Sequence, residues 1–118
     1  MVKTAVLFFA ALVVFSGIDA RAQMSEEAKI AHLIDAIRNA PDGTRFIRNG
    51  TEYGSEKAAD HLQAKYRHGK EHAGTAELFI EHIASRSSMT GVPYRIKFAD
   101  GKMATAHEFF IQELKKIE

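Results

Sequence analysis

Four segments of the chain repeat apolar residues at helical spacing. In the first, Ile30, Leu33 and Ile37 fall at i, i+3 and i+7, which places them on one face of a helix. Ser25 is an N-cap candidate before this segment, and Pro41 ends it. The other three segments predict helices over about 56–67, 76–85 and 106–117.

Two further stretches alternate apolar and polar residues, as β-strands do when one face is buried. Asn49-Gly50 separates the two short runs of the first stretch, and this dipeptide favours the type I′ turn of a hairpin. In the second stretch, 94–105, Asp100-Gly101 supplies the turn. The two patterns therefore predict two β-hairpins.

The resulting order of elements is α-β-β-α-α-β-β-α. Short strands between longer helices indicate a small α+β domain, in which the two β-hairpins pack on helices. Thr105 and Glu108 have the spacing of a capping box at the start of the last helix. Neither a linker nor a low-complexity segment divides this region, so we expect residues 23–118 to form a single domain.

The first 22 residues have the pattern of a secretory signal peptide. Lys3 precedes an apolar run, 4–18, and the small residues Ala20 and Ala22 fit a signal-peptidase site. The run has 15 residues, fewer than the ~20 that a bilayer-spanning helix needs. We therefore predict cleavage after Ala22, a mature chain from Gln23 and a periplasmic location; an uncleaved anchor is the alternative.

Charge and cysteine content argue against several classes of partner. The chain has 16 basic and 15 acidic residues, and two of the former and one of the latter precede Gln23, which leaves fourteen of each. Nucleic-acid binding usually needs a basic excess, and binding to a membrane surface needs a basic amphipathic helix. We expect neither partner after signal cleavage. The absence of cysteine argues against a disulfide-stapled domain and a thiol enzyme.

The segment "SRSSMTG" (85–91) crowds hydroxyl side chains before the second hairpin. One interpretation is a turn in which hydroxyls cap the end of the third helix. A second is a binding loop that presents Ser87, Ser88 and Thr90 to an anion or a sugar. A third is a nucleophilic Ser87 or Ser88, which would need an adjacent base such as His61. The segment is the first candidate for a functional site.

Three basic residues form the second candidate. His61 and Lys65 lie four residues apart on the second helix, beside its apolar face, and Arg48 precedes them on the first hairpin. If the three converge, they form a small cationic pocket. The competing interpretation is structural, because lysine often lays its methylenes over apolar neighbours and histidine often bonds a backbone carbonyl.

Metal binding is the third possibility. His68 and His72 are four residues apart, with Glu71 beside them. Gly69 is expected to end the helix that would align them, within a polar loop over 67–74, and no third ligand has the spacing of a zinc site. We therefore predict no metal and no other cofactor.

Three blocks of residues carry a likeness to a known family. They are "FIRNG" (46–50), "AADHLQAKY" (58–66) and "TAELFIEHIASRSSMTGVPYRI" (75–96). In these blocks the chain resembles the YfeK-like family of small secreted (periplasmic) bacterial proteins, whose function is unknown. The resemblance implies a soluble periplasmic protein, and it supplies no catalytic residues.

These observations favour a non-enzymatic periplasmic binding or interaction module. The module would use the 85–94 loop beside a small basic rim to hold a small anionic ligand, a cell-wall fragment or a periplasmic protein. The expected site residues are Arg48, His61, Lys65, Ser87, Ser88, Thr90 and Tyr94. A small hydrolase with Ser87 or Ser88 as nucleophile and His61 as base is the alternative, and a purely structural protein is a third option.

Overall fold

Residues 24–118 are the part of the chain that the computed structural model describes. The signal peptide predicted over 1–22 lies outside these residues and stays a prediction. Within the described part, none of the helices has the length and apolar character needed to span a bilayer.

Helices and strands follow one another in the predicted order, so the α+β prediction is confirmed. The helices are α1 (Glu26–Arg38), α2 (Ser55–Gly69), α3 (Ala76–Phe79) and α4 (Ala106–Ile117). The strands are β1 (Arg45–Arg48), β2 (Thr51–Tyr53), β3 (Arg95–Lys97) and β4 (Met103–Thr105).

The four strands form one antiparallel sheet in the order β2-β1-β3-β4. Both predicted hairpins are present, and they join through β1 and β3, where Phe46 lies opposite Ile96. The first hairpin turns through Asn49 at φ 50° and Gly50 at φ 80°. These two positive angles are those of the predicted type I′ turn.

The core lies on one face of the sheet, where the helices cover it. Phe46 is 3% exposed and Ile96 is fully buried, whereas Arg45 and Arg95 on the other face are exposed. This alternation is what the period of two along a strand requires. The ring of Tyr94, just before β3, packs 5.3 Å from that of Phe46 and extends the core toward the first hairpin.

The second helix differs from the prediction at its end. It continues through His68 to Gly69 and passes into a 3₁₀ turn over Lys70–His72, so the expectation of a loop from residue 67 was wrong. A β-carbon at Gly69 would lie 2.8 Å from Cδ1 of Ile83. The absence of a β-carbon at Gly69 therefore lets α2 lie close to Ile83, which follows α3 in the chain.

The third predicted helix consists of an α-helical part and a π-helical part. Its α-helical part is followed by a π-helical turn over Ile80–Ala84. The Ser85 hydroxyl donates to the Ile80 carbonyl, and the Ser85 carbonyl accepts from the Tyr94 N–H at 2.9 Å. This end of the helix is thus tied directly to the start of β3.

Candidate functional site

Arg48 links the first hairpin to α2. It is the last residue of β1 and shares a face of the sheet with Phe46, so its side chain extends toward the helix. Its Nη1 lies 2.9 Å from Nε2 of His61 and 3.3 Å from Nδ1 of the same ring. Its Nη2 donates to the Tyr53 hydroxyl at 3.2 Å. Because a guanidinium only donates, the ring nitrogen that bonds it must accept.

Lys65 links α2 to the hydroxyl-rich segment. One helical turn beyond His61, its Nζ donates to the Arg86 carbonyl at 2.8 Å and to the Tyr94 hydroxyl at 3.0 Å. The same nitrogen lies 4.9 Å from the centre of the Tyr94 ring. Both partners of the ammonium are neutral, so the protein groups that contact its charge are dipoles and the π-face of the ring.

The hydroxyl-rich segment folds back on the turn of the first hairpin. The Ser87 hydroxyl is buried and accepts from the backbone N–H groups of Met89 and Thr90, each at 3.3 Å. The Thr90 hydroxyl donates to Oδ1 of Asn49 at 2.8 Å, and the Asn49 amide donates to the Ser87 hydroxyl at 3.4 Å. Asn49 therefore places the loop next to Arg48.

Neither Arg48 nor Lys65 forms an ion pair with a carboxylate in the described part of the chain. Among residues 24–118, every ion pair within 4.0 Å involves basic residues other than Arg48 and Lys65. We call Arg48, His61 and Lys65 the cationic cluster. The other unpaired lysines and arginines among residues 24–118 are exposed, whereas Arg48 and Lys65 are partly buried, so their uncompensated charge carries an electrostatic cost.

The pKa values of the cluster reflect this cost. Burial, together with the charge of Arg48, lowers the pKa of Lys65 to about 8. Burial also lowers the pKa of His61, and the charges of Arg48 and Lys65 lower it further. Both directions show that positive charge is disfavoured here because solvent is partly excluded and like charges are close.

Two cavities open beside the cluster. The first, which we call the Arg48 cavity, has about 340 Å³ and lies between the first hairpin and α2. Its lining comprises Phe46, Arg48, Tyr53, Lys57, Ala58, Asp60 and His61. The second cavity has about 510 Å³, and both Lys65 and Ser88 line it. The cluster therefore borders solvent-accessible space on two sides.

Six of the seven expected site residues take part in this arrangement. Arg48 bonds His61, Lys65 bonds Tyr94, and Ser87 and Thr90 both bond the residue that follows Arg48. Ser88 is exposed, and its only link to the cluster is the cavity wall that it shares with Lys65.

Two residues of the site, Tyr53 and Asn49, were missed in the sequence. Tyr53 lies opposite Phe46 in the β1–β2 register and therefore shares its face. That register follows from the two-residue turn, so counting outward from Asn49-Gly50 would have placed Tyr53 beside Arg48. No sequence signal shows the bonds of Asn49 to a loop about forty residues away.

The contacts give no support to the hydrolase alternative. The Ser87 hydroxyl already accepts hydrogen bonds from backbone N–H groups, and no hydrogen bond joins His61 to Ser87 or Ser88 in the described part of the chain. A nucleophile needs its base within hydrogen-bond reach. Within residues 24–118 there is also no group of three histidine or carboxylate side chains that could hold a metal ion.

Comparisons with known proteins identify relatives and leave the chemistry open. A family model described as a family of unknown function (DUF5329) matches residues 24–118. The uncharacterized protein YfeK of Salmonella typhimurium is 42% identical over 69 residues, which cover 58% of this chain and 57% of that protein. No solved structure matches the chain. The predicted likeness to YfeK-like proteins is thereby confirmed.

Proposed function

The chain belongs to the DUF5329 family of unknown function, and from the geometry of its own site we propose that it is a non-enzymatic module that binds a small anionic ligand at the cationic cluster. The observation that carries this proposal is the uncompensated charge of Arg48 and Lys65 beside two cavities. A bound anion would supply the negative charge that Arg48 and Lys65 do not receive from a paired carboxylate among the described residues.

The cluster has hydrogen-bond donors to spare for such a ligand. Arg48 carries five N–H donors, and its contacts with His61 and Tyr53 leave several of them unused. A guanidinium fits the two oxygens of a carboxylate or a phosphate, and such charge-assisted bonds are about twice as strong as neutral ones. The ligand would therefore gain affinity from donors that are already held in place.

Anion binding at the cluster can be measured by NMR titration. Inorganic phosphate and acetate are the probes, and the amide signals of β1 and α2 are the readout. Arg48→Gln should weaken binding about tenfold to a hundredfold, because hydrogen bonds to charged groups contribute roughly 1.5–3 kcal/mol. Arg45→Gln is the matched control, since Arg45 lies on the same strand but on its exposed opposite face.

The outcome separates a ligand site from a structural cluster. Equal affinities in the wild type, Arg48→Gln and Arg45→Gln would place the anion elsewhere, and the absence of any titrating signal near β1 and α2 would contradict the proposal. A cell-wall fragment that carries carboxylates and an acidic periplasmic protein are ligands of the same charge class.

We further propose that the protein acts in the periplasm as a mature chain from Gln23. The support is the pattern of residues 1–22, with a basic start, an apolar run and small residues at the cleavage position. Mass spectrometry of the protein recovered from a periplasmic fraction should find Gln23 at the N-terminus. An intact Met1 on protein from the cytosolic fraction alone would contradict this location.

A further inference from the structure

The Arg48 cavity has two chemically different parts. Its inner part is apolar, because Phe46 and Ala58 are 3% and 2% exposed and the Tyr53 ring is half-buried beside them. Arg48 supplies the positive charge, and its guanidinium donates directly to the His61 ring. A ligand that fills this cavity must therefore meet both an apolar surface and a positive charge.

The exposed edge of the cavity adds no net positive charge. Lys57 and Asp60 line it as an exposed pair of opposite sign. Asp60 is held by Arg38 at 2.9 Å, and the same guanidinium also binds Glu56 at 2.7 Å. A second anionic group on the ligand would meet no unopposed positive charge at this edge, because Lys57 lies there beside the Asp60 carboxylate.

The size of the cavity limits the ligand. Small-molecule sites usually have roughly 300–1,000 Å³ and are mostly apolar, with a few placed polar groups. At about 340 Å³ the Arg48 cavity lies at the lower end of this range. It therefore accommodates a single ring or a short alkyl chain together with the anionic group.

We propose that the ligand of this site is a small amphipathic anion, with one carboxylate or phosphate group on Arg48 and His61 and an apolar alkyl or aryl body against Phe46, Tyr53 and Ala58. This inference rests on the proposed function, which requires only an anion, and adds the apolar body. The apolar side chains of its lining distinguish the Arg48 cavity from an open basic patch, which would bind an anion by charge alone.

A homologous series of ligands tests the apolar body directly. Acetate, butyrate, hexanoate and the uncharged hexanamide are titrated into the protein by calorimetry or NMR. Burial of a methylene contributes up to about fourfold in affinity, so hexanoate should bind at least tenfold more tightly than acetate. Hexanamide should bind at least tenfold more weakly than hexanoate, because it lacks the charge that Arg48 pairs with.

The outcomes distinguish failure of this inference from failure of the proposed function. Equal affinities within both pairs, acetate with hexanoate and inorganic phosphate with hexyl phosphate, would overturn the apolar body and leave anion binding intact. Equal affinities for hexanoate and hexanamide would overturn the anionic group, and no binding of any of these carboxylates or phosphates would overturn both. Inorganic phosphate and hexyl phosphate form a parallel pair, and a gain from the hexyl chain in either pair supports the inference.

A cavity-filling variant locates the ligand. Ala58→Leu should remove the gain from chain length, since Ala58 lies in the apolar part of the cavity. Ala64→Leu is the matched control on the same helix, at a half-buried position that does not line the cavity. If Ala58→Leu does not fold, the ligand series on the unchanged protein carries the test alone.

Discussion

At the scale of single residues, the basic side chains of the cluster are held in place by neutral neighbours. Arg48 is positioned by an imidazole and a phenol, and Lys65 by a carbonyl and a phenol. These contacts fix the orientation of the charges without neutralising them. A preorganised charge of this kind binds an anion with little further ordering of side chains.

Asn49 has a double role that two substitutions can separate. Its φ of 50° favours glycine or asparagine, and its side chain bonds Ser87 and Thr90. Asn49→Gly should lose only the bonds, whereas Asn49→Ala should lose them and add strain of about 1 kcal/mol. Urea unfolding should therefore find the alanine variant less stable by about that amount; equal stabilities would show that the turn carries no strain.

The site could be predicted from sequence only in part. The spacing of His61 and Lys65 and the position of Arg48 before the Asn49-Gly50 turn predicted a convergence that the structure brings about. The charge balance around them could not be predicted, because it depends on which surface carboxylates reach which cations. Arg38, for example, forms ion pairs with both Glu56 and Asp60, which lie on the same helix as His61.

At the scale of helices and strands, sequence patterns predicted the structure correctly where the interacting residues lie close together in the sequence. The capping box predicted at the start of α4 is present, with the Thr105 hydroxyl accepting from the Glu108 N–H at 3.1 Å and the Glu108 carboxylate accepting from the Thr105 N–H at 3.3 Å. The end of α2 could not be predicted, since Gly69 stays helical to pack against Ile83 of the following helix. That contact is tertiary and leaves no local pattern.

The capping box gives a stability prediction for α4. Thr105→Ala should lower the free energy of unfolding by about 1 kcal/mol, because the Glu108 N–H loses its acceptor. Thr105→Ser keeps the hydroxyl and is the control, which should stay near the wild type. Thermal or urea unfolding measures both, and an alanine variant as stable as the serine variant would contradict the role of the cap.

At the scale of the whole molecule, the cluster makes stability depend on pH. The pKa of Lys65 is about 8 in the folded protein and about 10.4 in an unfolded chain. Between these two values the unfolded state binds more protons, so stability should rise with pH. Relative to Lys65→Met, which cannot titrate, the wild type should gain on the order of 2 kcal/mol between pH 7 and pH 11.

Urea unfolding of both proteins at several pH values measures this difference. Only the change with pH is diagnostic, since Lys65→Met also removes the bonds to Arg86 and Tyr94. Lys97→Met is a control on a partly exposed lysine of β3 that pairs with Glu52. A difference between wild type and Lys65→Met that stays constant with pH would contradict a desolvated, uncompensated Lys65.

The protonation of Lys65 links the stability of the protein to anion binding. An anion favours the charged form of Lys65, so binding should raise its pKa, and affinity should fall as pH rises above about 8. Below that pH the lysine is already protonated, and affinity should depend little on it. Acetate titrations at pH 7 and pH 9.5 measure the effect, and equal affinities would exclude Lys65 from the anion site.

The most direct test of the central claim is the pKa of Lys65 itself, measured by NMR on isotopically labelled protein with and without phosphate at constant ionic strength. We expect a pKa of about 8 without phosphate and a clear rise when phosphate is added. Arg48→Gln should abolish this rise, and Arg45→Gln should preserve it. A pKa near that of free lysine, or one that phosphate leaves unchanged, would contradict the proposal that the cationic cluster is an anion-binding site.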